Sequence, residues 1–235
     1  MFAEEEAELL LANIPRDALD DAVARRVAGE PLEHILGFAE FAGLRILLGP
    51  GVFVPRRRTE RVVRLAVSRI PDGGSLLDLC CGSGAIAAAV ASQRPDAVVT
   101  AADISPLAVA WAERNLAPFG GQVVVSDMGA ELAGPFDVIV ACPPYVPTDE
   151  IAMMPSEARD HDPRLALDGG PDGTDLQAAV FSAAARLLAP SGIVIVETSE
   201  HQAERTLQRA AEAGLLGSVG RDAEYGETAM IATRP

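Results

Sequence analysis

The pattern of apolar and polar positions changes character near residue 59. Upstream, Leu, Ala and Val recur at threes and fours between charges over residues 4–28, the spacing of one buried helix face, with Pro15 as a break. The stretch "GLRILLGPGVFVP" (43–55) reads as two short strands around the Gly-Pro-Gly turn at 49–51, a hairpin. Downstream, helical and strand-length patterns alternate. A helical period over about 59–69 leads into "SLLDL", a helix opens at Gly84, "AVVTAAD" follows, and another helix opens at Pro106. "QVVVSD", "FDVIVAC" and "GIVIVETS" are further runs of strand length. Such runs are apolar at nearly every position, so both faces of each strand are buried. That predicts a mostly parallel α/β sheet covered by helices on both sides. "GSVGRD" and "TAMIATR", separated by a turn signal at Tyr225 and Gly226, predict an antiparallel pair at the sheet edge. Residues 147–172 are rich in Pro, Asp and Gly and show little periodicity; loops of that length are commonly functional lids.

The 235 residues fit one sizeable domain, 59–235, behind a helical and hairpin segment, 1–58. The formal charge of −15 repels phosphate backbones, so nucleic acid is not the expected partner. "RRR" at 56–58 is the main basic run, and it reads first as a solvated turn and second as a contact for an acidic partner. Cys80, Cys81 and Cys142 cannot build a disulfide framework and read as reduced, buried thiols of a cytoplasmic protein. The acidic first residues do not resemble a targeting peptide, and no apolar run has the length of a membrane span. His34, His161 and His201 lack metal-ligand spacing, so no metal is expected.

Two stretches carry candidate chemistry. In "LLDLCCGSGAIA" a strand delivers Asp78, then Gly82 and Gly84 open a helix. Glycines there permit a tight turn and close approach of a ligand to free backbone N–H groups. About 20 residues on, the next strand ends in Asp103, whose carboxylate suits two ribose hydroxyls. The spacing Gly82-x-Gly84-x-x-Ala87 fits a dinucleotide loop as well as an S-adenosylmethionine loop. In "VIVACPPYVPT" another strand runs into Pro143, Pro144 and Tyr145. The prolines fix the backbone, so a carbonyl at this corner accepts one hydrogen of a substrate NH₂ group. The side chain at 142 is placed for the other, and Tyr145 lies against a planar group. Drawing both hydrogens aside localises the nitrogen lone pair toward a sulfonium methyl.

Together these stretches resemble the protein-(glutamine amide) methyltransferases that modify translation release factors, the HemK/PrmC family. The resemblance covers nearly everything from Gly29 onward. It includes "EPLEHILGFAEFAGLRILLGPGVFVPRRRTE", "LDLCCGSGAIA", "ADISPLAVAWAERNL" and "EARDHDPRLALDGGPDGTDL", the last similar to the family's insertion after Asn-Pro-Pro-Tyr. It implies a class I, Rossmann-like methyltransferase fold with a mostly parallel seven-stranded sheet. S-adenosyl-L-methionine is the implied donor and S-adenosylhomocysteine the product. Gly82, Ser83, Gly84 and Asp103 fall at the cofactor, flanked by Asp78, Cys80, Cys81, Ile104 and Cys142, with Asp127 and Met128 near the adenine. Cys142, Pro143, Pro144 and Tyr145 form the implied catalytic corner. The implied acceptor is a protein glutamine, release factors included.

Three departures accompany the resemblance. Cys80 stands where the family usually has a glycine, the helical region before Gly29 is shorter than the family's, and Cys142 stands in place of Asn. A neutral thiol is a weak hydrogen-bond acceptor, and no cationic neighbour is evident that would ionise it. Losing a good acceptor costs on the order of 1–3 kcal/mol, tenfold to a hundredfold in rate. An altered protein or small-molecule acceptor is therefore expected. The rival readings are a methyltransferase of a small-molecule or nucleobase amino group, a cofactor-binding module without catalysis, and an NAD-dependent oxidoreductase.

Overall fold

The computed structural model describes residues 3–222 and 227–235. Helices α1 (Ala3–Asn13), α2 (Leu19–Val27) and α3 (Leu32–Leu36) bury Leu10, Ala22, Leu32 and Ile35 against one another, a small core of their own. Pro15 falls between α1 and α2, as the break in the apolar spacing requires.

A hairpin follows, but not around 49–51. Its strands are β1 (Phe38–Phe41) and β2 (Leu44–Leu47), antiparallel with Phe41 opposite Leu44. The two-residue turn is Ala42 and Gly43, both at positive φ (49° and 80°), the signature of a type I′ turn. Residues 49–51 form a separate bend, after which Val52 and Val54 are buried rather than paired.

The remaining elements are α4 (Glu60–Val67), β3 (Ser75–Leu79), α5 (Ala85–Gln93), β4 (Val98–Asp103), α6 (Pro106–Leu116), β5 (Gln122–Val125) and β6 (Phe136–Ala141). They continue with α7 (Ser156–His161), α8 (Asp175–Leu187), β7 (Leu188–Glu197), α9 (Ala203–Glu212), β8 (Leu216–Asp222) and β9 (Glu227–Thr233). The seven-stranded sheet has the order β5-β4-β3-β6-β7-β9-β8. The first five strands in that order run parallel, and β9 is antiparallel to both β7 and β8. The expected edge pair is therefore present, while its Tyr225–Gly226 turn lies outside the described residues. No described helix is long and apolar enough to cross a membrane.

Adjacent positions of one strand feed opposite cores, the period-2 rule of a pleated strand. Leu76, Val138, Val140 and Ile195 join the core under α4 and α5. Leu77, Ile139, Val194 and Val196 join the one under α8. Helix α5 is almost entirely Ala, Val and Ile and is buried from Ala85 to Ala91, as a helix that is apolar all round must be. The chain steps outward from β3 to β4 and β5, then returns to place β6 on the other side of β3. This reversal opens a crevice at the carboxyl ends of β3 and β6, where a parallel sheet receives its ligands.

Candidate active site

That crevice holds a cavity of about 470 Å³. Its walls include Cys80, Cys81, Gly82 and Ser83 after β3, Asp103 and Ile104 at the end of β4, and Asp127 and Met128 after β5. Cys142, Pro143, Pro144 and Tyr145 complete it after β6. The two stretches singled out from sequence thus share one cavity. Asp78 and Gly84 lie behind its wall rather than in it.

The glycine loop is shaped by three residues at positive φ: Cys80 (58°), Gly82 (55°) and Gly84 (75°). At Gly82 a Cβ would meet nothing within 4 Å. At Gly84 it would lie 2.9 Å from Ala112 Cβ and 3.0 Å from Leu116 Cδ1, so this glycine lets α6 close on the loop. Cys80 carries a side chain through the same left-handed region at a cost of roughly 1–2 kcal/mol, which explains the glycine usual there in the resembling family.

Two acids brace the loop. Asp103 Oδ2 accepts the Gly82 N–H and Oδ1 the Ser105 N–H, both at 2.9 Å, so the residue assigned to a ribose also locks the loop to β4. Asp78 is fully buried, and its Oδ2 accepts the Ala87 N–H at 3.1 Å. Its Oδ1 has no partner among the described residues. Burial pushes the carboxyl up to about 8, despite the Ala87 bond, with the Asp103 charge adding to the rise. An open glycine wall and an acid at the next strand end, both lining the cavity, together fit a nucleotide-like cofactor.

The acceptor corner is built by long-range contacts. Arg58 donates to the Tyr145 hydroxyl and, through Nε, to Glu197 Oε1 at 3.3 Å; the Tyr145 hydroxyl lies 3.4 Å from the same oxygen. Arg56 pairs at 2.8 Å with Asp162, whose side chain is 0% exposed. Two members of the arginine run, Arg56 and Arg58, are therefore clamps, while Arg57 is exposed as a solvated turn would have it. Arg58 is also the cationic neighbour of Cys142 that the sequence did not reveal. It does not ionise the thiol: burial pushes Cys142 well up, and the Glu197 charge adds to that, with Arg58 opposing. Burial likewise raises the Tyr145 phenol, so both side chains are neutral.

The aperiodic stretch 147–172 has a structural task besides covering the cavity. Leu167 O and the Gly169 N–H hydrogen-bond Val146 on both sides, at 3.0 and 2.9 Å. A Cβ at Gly169 would lie 2.7 Å from Tyr145 Cα. Gln202 Nε2 donates to the Tyr145 carbonyl at 2.7 Å. The proline corner is thus braced from behind. Arg159 and Arg164 of this stretch pair with Asp160 and Asp168.

Sequence reasoning passed over Asn115 entirely. It is buried near the end of α6, accepts the Leu47 N–H at 2.9 Å and donates to Leu47 O and Ser83 O at 2.8 Å each. One side chain thereby ties the hairpin to the cofactor loop. Its only sequence signal is an amide in a position otherwise spaced for apolar residues. His34 is structural, its Nε2 3.0 Å from Val52 O.

The family described as methyltransferase small domain matches residues 43–157. A release factor glutamine methyltransferase of Geobacter sulfurreducens is 41% identical over 197 residues, covering 82% of this chain and 69% of that protein. That of Streptomyces coelicolor is 44% identical over 191 residues, covering 77% and 67%. The chain belongs to the release factor glutamine methyltransferase family. It is a methyltransferase, and its chemistry is S-adenosylmethionine-dependent, which sets aside the oxidoreductase reading of the glycine loop. Two crystal structures share the fold. A methyltransferase from Pyrococcus furiosus has a TM-score of 0.61 at 18% identity, covering 91% of this chain and 98% of that one. A ribosomal protein L11 methylase from Lactobacillus delbrueckii has a TM-score of 0.59 at 21% identity, covering 80% and 84%. The seven-stranded order described above is thus that of a class I methyltransferase.

Proposed function

We propose that this protein methylates the side-chain amide nitrogen of a glutamine in a protein, and that the protein is a peptide release factor. The observation that carries the reading is the meeting of glycine loop and proline corner in one cavity, in a chain 41% and 44% identical to two release factor glutamine methyltransferases. S-adenosylmethionine, when bound, supplies an electrophilic methyl on a sulfonium and leaves as S-adenosylhomocysteine. Gly82 and Ser83 hold its amino-acid end, Asp103 its ribose hydroxyls, and Asp127 and Met128 its adenine, with Ile104 alongside. Tyr145, fixed by Arg58 and Gln202, offers its ring to the flat amide. The Pro143 carbonyl accepts one amide hydrogen and turns the nitrogen lone pair toward the methyl. The hairpin of segment 1–58 joins the core of the catalytic domain through Phe41 and Ile46, and Arg26 of the same segment reaches Glu157 of the covering stretch at 2.6 Å.

A different acceptor is the reading that Cys142 favours, because a neutral thiol recognises an amide poorly. One experiment separates the two. The protein is incubated with radiolabelled donor and a purified bacterial release factor, and the product is mapped by peptide mass spectrometry. A single methyl on a glutamine is expected. Labelling of other material with the release factor left unmodified overturns the proposal.

A further inference from the structure

Two cysteines of the cavity wall suit methyl transfer poorly, and they stand side by side. Cys80 carries its side chain at φ 58°, where an L-residue costs roughly 1–2 kcal/mol. Cys142 presents a neutral thiol, a weak acceptor, at the corner that receives the acceptor group. Strands β3 and β6 run parallel, and the last pair in their register is Leu79 with Ala141. The next residue on each strand is a cysteine. Parallel neighbours lie about 4.8 Å apart, inside the range of roughly 4.4–6.8 Å between Cα atoms that a disulfide spans.

Both side chains line the large cavity, and both are free thiols with partial exposure, so a small reagent reaches them. They are close enough that charge on Cys80 is felt at Cys142. Cys81 is the poorer partner for either. It is buried in the core under α4 and α5, with its Sγ 3.8 Å from Gly82 O. A bond between Cys80 and Cys81 would also close a strained ring through their own planar peptide unit.

We propose that Cys80 and Cys142 are a redox pair, a modification site at which a peroxide joins the two thiols and disables the cavity. One sulfur attacks the O–O bond of hydrogen peroxide, becoming a sulfenic acid and releasing water. The second displaces the hydroxyl from that sulfenic acid, which leaves as another water. The two thiols lose two protons and two electrons, the peroxide takes them up, and one disulfide and two waters result. A dithiol reductant reverses the step by exchange. The bond ties the start of the cofactor loop to the start of the proline corner. It therefore occupies the wall between the two, where donor and acceptor must meet. Burial keeps both thiols protonated at rest, with nearby acids adding to the effect, so the pair responds to sustained exposure and is otherwise reduced.

The test exposes the full chain to hydrogen peroxide, then alkylates the denatured protein and maps it by mass spectrometry. The expected product has lost two hydrogens, takes up one alkyl group where the reduced protein takes three, and yields a cross-linked peptide pair joining Cys80 to Cys142. Methyl transfer is expected to fall more than about tenfold and to return with dithiothreitol. Cys80→Ala and Cys142→Ala should each abolish the cross-link, and Cys81→Ala should retain it. Three independently oxidised thiols, a bond to Cys81, or an oxidised protein that binds S-adenosylhomocysteine and transfers methyl as the reduced one does overturns the inference. Should the variants fold poorly, the wild type carries the test with phenylarsine oxide, which closes on two neighbouring thiols with loss of one water. One equivalent should shield Cys80 and Cys142 from alkylation, and alkylation of both in its presence refutes the pairing. The cross-link is read without any acceptor, so a release factor left unmethylated sinks the proposed substrate and leaves the thiol pair standing.

Discussion

Replacing Asn115 with alanine should unfasten the hairpin from the cofactor loop, and the size of the effect follows from what each lost partner meets. Three hydrogen bonds go, two on the backbone of Leu47 and one on the carbonyl of Ser83. Leu47 is 41% exposed, so water re-engages its groups and each loss costs about 0.5–1 kcal/mol. Ser83 is 3% exposed; its carbonyl stays dry and costs about 1–3 kcal/mol. Together these predict a loss of about 2–5 kcal/mol, a drop in melting temperature of roughly 5–15 °C for a chain of this size. Thermal unfolding followed by circular dichroism measures it. A second readout separates a loosened loop from a generally weakened fold: S-adenosylhomocysteine affinity, by titration calorimetry, should fall about fivefold because the loop must be ordered on binding. Asn115→Asp sharpens the test. Its carboxylate still accepts the Leu47 N–H but faces two carbonyl oxygens with no hydrogen to give, so it should be worse than alanine. If Asn115→Ala melts within about 1 °C of wild type, or Asn115→Asp is the milder change, the clamp has been misread.

Two further outcomes are expected. Gly84→Ala should cost about 2–5 kcal/mol in denaturant unfolding, since its Cβ would meet the Ala112 backbone at 3.0 Å and φ is +75°; Gly82→Ala, with open space around it, should cost only about 1–2 kcal/mol. Equal penalties would contradict the division of labour between the two glycines. The third concerns pH. Asp78 holds its proton in the folded protein up to about 8, because burial opposes ionisation, while in the unfolded chain it ionises near 4. Between those values the folded state binds the extra proton, so the stability Asp78 contributes falls as pH rises through the window and then levels off. Asp78→Asn cannot ionise, and its stability relative to wild type should therefore climb from about pH 4 to about pH 8. A difference that does not vary with pH across that window shows that Asp78 is ionised in the folded state.

The catalytic domain was largely legible because its signals are local. Continuous apolar runs such as "FDVIVAC" fixed strands buried on both faces, and glycine at 82 and 84 needed no partner to announce a turn at positive φ. The hairpin was misplaced for a local reason as well. Gly-Pro-Gly at 49–51 is a loud turn signal, whereas the actual type I′ turn uses Ala42 at φ 49°, where Asn, Asp or Gly would have been the readable choice. The signal therefore places the partner of Leu44–Leu47 downstream, where Val54 instead buries against Ala39 and Leu48.

What could not be read shares one property: its meaning depends on a partner far away in the chain. Arg58 looked like a solvated cation because the residues that need it, Tyr145 and Glu197, lie 87 and 139 positions on. Asp162 gives Arg56 its role from 106 positions away, and Asn115 serves a carbonyl and a strand edge 32 and 68 positions back. These contacts are polar and half-buried, so no hydrophobic period records them. They nevertheless decide whether the corner works. A strand that ends in two prolines has a stiff backbone but no means of setting where its tyrosine points. The orientation comes from Arg58 on the hydroxyl, Gln202 on the carbonyl and Gly169 behind the Cα. Cys142 therefore cannot be judged as an isolated replacement for asparagine. Its thiol sits among Tyr145, Arg58 and Glu197, whose mutual contacts fix the corner around it, so a change at 142 is felt by that clamp as well as by the acceptor.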